Sequence, residues 1–126
     1  MPTIAIKDLT GSQLDWAVAT AEGEEAVIHG GVCQVVVARY EKATHYTERT
    51  YHNNPYRAWP IIDRDGISVW SIDGTWSAGL YQGVFGGSWP SIDCAFGQDG
   101  PTGLIAAMRC RVAMHFGQTV DVPEPL

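Results

Sequence analysis

GPTGLIAAMRCRVAMHFGQTVDVPEPL, residues 100–126, reads as one capped helix followed by an extended arm. Asp99 or Gly100 is the expected cap, Pro101 suits the first helical position, and Gly117 ends the run. Leu104, Met108 and Val112 form one stripe, widened by Ile105 and Phe116, while Ala106, Ala107 and Ala113 permit close packing elsewhere. Arg109, Arg111 and His115 alone interrupt the apolar surface. A helix with so little polar surface must be covered on several sides, so the rest of the chain is expected to wrap residues 101–116. Beyond it, 118–126 reads as an extended tail.

Upstream elements fit that plan. In LTGSQLDWAVATAEG (9–23), Thr10 is the expected N-cap with Gln13 as its capping-box partner, and Leu9 and Leu14 occupy the staple positions. Leu14, Ala17, Val18 and Ala21 make the buried stripe, and Gly23 stops the helix. Trp16 lies about 200° from Leu14 at roughly 100° per residue, so it needs a second surface to cover it. Two β-rich stretches follow, 26–29 and 32–40, split by a Gly30-Gly31 turn. Residues 41–50 read as a loop or a frayed hairpin end. In YHNNPYRAWPIIDRDG (51–66), Asn54-Pro55 is a good cap and first-position pair, which predicts a helix over 55–65. Pro60 argues against it, and the competing reading makes 59–62 a strand. ISVWSI (67–72), Asp73-Gly74 and residues 75–81 form a hairpin. Residues 82–98 are rich in Gly and aromatics; they read as a short strand near Val84-Phe85 and then an irregular loop. The expectation is one α+β domain over 1–126: an alpha-beta sandwich with a mixed or antiparallel sheet of about four to five strands and a buried C-terminal helix.

At 126 residues, 45% apolar and 17% charged, the chain is large enough for one compact core and too apolar for disorder. Its net charge of −6 and its scattered eight Lys and Arg disfavour nucleic acid as a partner. Three widely spaced cysteines, 33, 94 and 110, read as free thiols in a reducing compartment, and no apolar run reaches the ~18 residues of a membrane span.

LTGSQLDWAVATAEG, NNPYRAWPII (53–62) and GPTGLIAAMRCRVAMHFGQTVDVP (100–123) together resemble the NinX-like family of small bacteriophage proteins; the central and final segments also resemble the phage alpha-beta-alpha sandwich domain. The resemblance covers both ends and the middle, with 82–98 resembling an insertion. It implies a phage or prophage protein of the bacterial host cytoplasm, with a sandwich fold, no assigned catalytic residues and a role in interfering with host functions.

Chemistry-bearing motifs are sparse. The histidines at 29, 45, 52 and 115 and the cysteines lack metal-ligand spacing, and DRDG (63–66) begins like a calcium loop but lacks its later ligands. GLYQGVFGG (79–87) lacks the Gly-Lys-Ser/Thr of a phosphate loop, and no Gly-x-Ser-x-Gly elbow is present. No cofactor and no catalytic group are therefore expected. The best candidate is a ligand site at 51–64: Tyr51, His52, Asn53 and Asn54 approach a helix N-terminus suited to anions. Arg57 and Arg64, seven residues apart, share a helix face, and Trp59 and Trp76, with Trp70, supply rings for stacking. That pattern suits a nucleotide, with phosphate on the helix end and arginines and base on tryptophan. The plainer reading makes Asn54 a cap, the arginines solvated and the tryptophans core. Trp16, Phe85 and Trp89 form a candidate patch for a host protein or a second subunit of a homo-oligomer. The expected function is a non-enzymatic accessory protein sequestering a nucleotide-like host defence signal. The alternatives are a protein–protein inhibitor or adaptor and a small nucleotide hydrolase.

Overall fold

A computed structural model describes the backbone of residues 1–85 and 91–126, and the side chains outside 82–93. The chain folds as one α+β domain. Strand β1 (Thr3–Ala5) leads through a single 3-10 turn, Ile6–Asp8, into helix α1 (Gly11–Ala21). Strands β2 (Ala26–His29), β3 (Val32–Tyr40) and β4 (Ala43–Glu48) follow, then helix α2 (Pro55–Asp65). Strands β5 (Ile67–Ile72), β6 (Thr75–Phe85) and β7 (Ser91–Gly100) lead to helix α3 (Gly103–Phe116) and strand β8 (Thr119–Asp121).

The described strands divide into three antiparallel sheets, β1-β8, β2-β3-β4 and β5-β6-β7, rather than one sheet of four to five strands. Sequence patterning gives strands one at a time; which strands share an edge is set by how they drape over α3. That helix touches α1, α2, β5, β6, β7 and β8. Ala106 to Cys110 are buried consecutively, with Val112 and Ala113 beyond them. Each fully buried large side chain such as Met108 removes about 1.5–3 kcal/mol worth of apolar surface from water. Arg109 is buried too: its Nε donates to Leu9 O at 3.0 Å and its Nη1 to Asp99 O at 2.8 Å. Burial holds its pKa below the ordinary arginine value.

Several local expectations need correction. The cap of α3 is Thr102, whose Oγ1 accepts from Ile105 N–H at 3.2 Å, not Asp99 or Gly100. Thr10 does stand at the N-cap of α1, but its side chain makes no capping bond, and Gln13 donates instead to Pro123 O at 3.0 Å. The tail is thus pinned: Val122 N–H reaches Pro2 O and β8 pairs with β1, so only the last few residues trail away. Residues 41–50 contain β4, which pairs with β3 across a bulge at Val36/Ala38. The segment 82–98 contributes a long return strand, β7, to the β6 edge rather than an irregular loop, while 86–90 lie outside the described residues. The Asp73-Gly74 turn holds, with φ of 52° and 80°, the two positive values that a two-residue hairpin of this type requires. Among the described residues no helix is long and apolar enough to cross a membrane.

Candidate functional site

Helix α2 organises the site. Asn54 Oδ1 accepts from Tyr56 N–H at 3.2 Å, Pro55 begins the helix, and Gly66 closes it at φ 67° in the left-handed region. Pro60 is accommodated within the helix, so the strand alternative for 59–62 is excluded. Ala58, Ile61 and Ile62 are buried and hold α2 to the body, and α2 packs on α3 and β5. The helix then presents two different surfaces.

One surface forms a cleft of about 580 Å³. It is lined by His52 and Asn53 before α2, Trp59 and Ile62 on it, Val69 of β5, Trp76 of β6, and Thr102 to Ile105 at the start of α3. Trp59 is 60% exposed and Trp76 38%. Trp70 is half-buried and does not line it, because it follows Val69 on a strand and points to the opposite face. Gly103 makes room for the Trp76 ring: a Cβ there would stand 3.3 Å from Trp76 Cε3 and 3.2 Å from Val69 Cγ1. Thr102 caps Ile105 N–H and also accepts Ala106 N–H through its carbonyl, which leaves the first N–H groups of α3 at the cleft wall.

At the head of the cleft, His52 is tied to Asp15 of α1. Asp15 Oδ1 accepts from Tyr51 N–H at 2.7 Å and His52 N–H at 2.9 Å, and His52 Nδ1 lies 2.8 Å from Oδ2. Asp15 is 2% exposed. Sequence reasoning missed it: nothing local distinguishes an acidic residue in a helix from a solvated one.

The other surface is charged. Arg64 makes a bidentate pair with Glu22, Nη1 to Oε1 at 2.7 Å and Nη2 to Oε2 at 2.9 Å, and also bonds Asp65. Arg111 Nε donates to Glu22 Oε2 at 2.8 Å. The hydrogen bond from Arg64 holds both the Glu22 and the Asp65 carboxyls below their ordinary values, against burial and with help from Arg111. Tyr51 is buried with its hydroxyl donating to Glu24; burial first, then that bond, raise its pKa. Arg57 is exposed and shares a hollow with Glu22, Glu24, Tyr51 and Arg64.

The structure therefore brings together His52, Asn53, Trp59 and Trp76, and separates them from Tyr51, Arg57 and Arg64. Asn54 serves as the cap between the two groups. The expected pairing of arginines with tryptophan rings in one pocket is not what forms. Trp16 is half-buried against the core and donates Nε1–H to Ala26 O at 3.0 Å, so it ties α1 to β2. Phe85 belongs to β6 with its side chain outside the described residues, and Trp89 lies outside them altogether. Sequence reasoning also missed an outer apolar hollow on α2 lined by Pro55, Tyr56, Trp59 and Pro60, where Tyr56 is 91% exposed. Burial pushes the thiols of Cys33 up to about 12 and Cys110 to about 11, which removes both as nucleophiles near neutral pH. A larger hollow of about 740 Å³ is lined by Lys7, Gln98, Arg109 and Thr119; two of the Arg109 donors, on Nε and Nη1, are engaged by backbone carbonyls.

No curated protein sequence matches the chain. A family model described as Bacteriophage P22, NinX matches residues 5–115, and the chain belongs to that family.

Proposed function

We propose that this member of the NinX family is a phage accessory protein that captures a small planar, nucleotide-like molecule of the host, such as a defence signal, and holds it unreacted between Trp59 and Trp76. The observation that carries the reading is two partly exposed indoles lining one apolar hollow beside the start of α3. Exposed indoles are costly to leave in water, and each base stacked on an aromatic ring contributes about 1–3 kcal/mol. Any phosphate would meet the N–H groups of Gly103 and Leu104, where the helix end favours an anion, rather than the arginines, which lie across α2.

A thermal-shift screen with nucleosides and nucleotides tests this. At a hundred times its dissociation constant a ligand adds about 2.7 kcal/mol, which is readily measured, and denaturation should return it intact. Trp59→Ala combined with Trp76→Ala should abolish the shift, and Arg57→Ala combined with Arg64→Ala should leave it. The opposite pattern would place the site on the charged surface. Altered ligand on recovery would favour a hydrolase.

A second reading, an adaptor for a host protein, is favoured by the Pro55, Tyr56, Trp59 and Pro60 hollow. It expects retention of a host protein that Tyr56→Ala releases, without any shift by small molecules.

A further inference from the structure

His52 carries more than the loop needs. Tying residues 51 and 52 to α1 takes only the two backbone N–H groups that Asp15 Oδ1 accepts. The imidazole adds a contact from Nδ1 to the same carboxylate, and that contact has a chemical consequence. A carboxylate only accepts, so Nδ1 carries the hydrogen, and the neutral ring then holds its lone pair on Nε2. Among the described residues Nε2 has no protein partner, and the ring lines the cleft beside Trp59 and Trp76. Of its polar neighbours there, Thr102 Oγ1 already accepts from Ile105 N–H and Asn53 is exposed, whereas the imidazole is held in place by Asp15.

We propose that His52 is the specificity-determining residue of the cleft, with Nε2 accepting a hydrogen bond from an N–H on the edge of a heterocycle stacked against the tryptophans, and that Asp15 is the positioning residue that fixes the acceptor tautomer. The ligand class is then a nucleobase or nucleoside with an unblocked N–H edge. This inference rests on the cleft being a binding site.

The test compares matched nucleosides by calorimetry at pH 8: adenosine against N6,N6-dimethyladenosine, and uridine against 3-methyluridine, which differ in the N–H donor. The unsubstituted protein should bind at least one parent nucleoside about tenfold more tightly than its blocked partner, the discrimination expected where a buried polar group would otherwise go unpaired. His52→Phe should bind both members of that pair equally. Asp15→Asn keeps an acceptor for the backbone N–H groups but offers an amide N–H to Nδ1, which moves the ring hydrogen to Nε2. It should lose or invert the preference, an outcome that a purely structural Asp15 would not produce. Binding without discrimination, or discrimination that survives His52→Phe, overturns the role of His52 while leaving the cleft as a site. Absence of saturable binding by all four nucleosides overturns both.

Discussion

The two surfaces of α2 differ in how their side chains are used. On the charged surface, Glu22, Arg64, Asp65 and Arg111 form a closed set in which each carboxylate meets a guanidinium and Arg111 also donates to Ala21 O. On the cleft surface, Trp59 and Trp76 stand partly in water, Nε2 of His52 has no partner among the described residues, and the start of α3 is open. Charges that already satisfy one another have little left for a ligand. Aromatic area left uncovered in a folded domain is the kind of surface that a ligand completes. The comparison teaches that Arg64 and Arg111 bolt α2 to α1 and α3, and it is the rings behind them that the proposed function assigns to recognition.

The harshest way to break the comparison is to undock the helix that separates the surfaces. Ile62 is 6% exposed and also lines the cleft, so Ile62→Ala should cost about 2–4 kcal/mol in urea unfolding and weaken both surfaces together. Loss of ligand binding with full stability would show instead that Ile62 acts only as cleft wall. A smaller effect is expected from Arg111→Ala. It removes the donor to Ala21 O at 2.9 Å and one partner of Glu22, and should cost about 1–2 kcal/mol while nucleoside affinity stays unchanged. A matching loss of affinity would join the two surfaces into one site.

Much of this arrangement was legible in the sequence, including part of what the sequence reading got wrong. The apolar periodicity of 101–116 and the Asn54-Pro55 and Asp73-Gly74 signals gave α3, α2 and the β5–β6 turn, because these are local effects of burial, capping and backbone conformation. The separation of Arg57 from Trp59 was also readable. Two residues on a helix turn through about 200°, so a ring and a guanidinium at that spacing face opposite ways. The partner of Arg64 was not readable, because Glu22 is 42 residues away and meets it only when α1 and α2 pack. The same holds for Asp15 and His52, 37 residues apart, and for the division of strands among three sheets. Spacing gives the face of an element, whereas the partner on that face depends on packing.

Acid should act on the charged surface. Glu22 and Asp65 titrate below their ordinary values of 4.5 and 3.8 in the folded protein, so the folded state binds fewer protons than the unfolded chain. The stability they contribute is complete above about pH 4.5 and drains away as the pH falls through the folded values. Glu22→Gln should flatten that acid limb of the melting curve. An unchanged limb would assign acid sensitivity to other carboxyls and weaken the view of this cluster as the bolt.

The smallest stability effect is expected at Trp59, one of the two rings on which the proposed function rests. Trp59 is 60% exposed and makes none of the side-chain hydrogen bonds that hold α2, so Trp59→Ala should shift unfolding by no more than about 0.5 kcal/mol. The same substitution removes one stacking surface and should weaken nucleoside binding by tenfold or more. That split, near-zero cost in folding and large cost in binding, is what separates a ring kept for a ligand from one kept for the core. A cost of 2 kcal/mol or more with binding intact would make Trp59 a packing residue and move recognition elsewhere. Both quantities come from one protein preparation, by melting with and without saturating nucleoside.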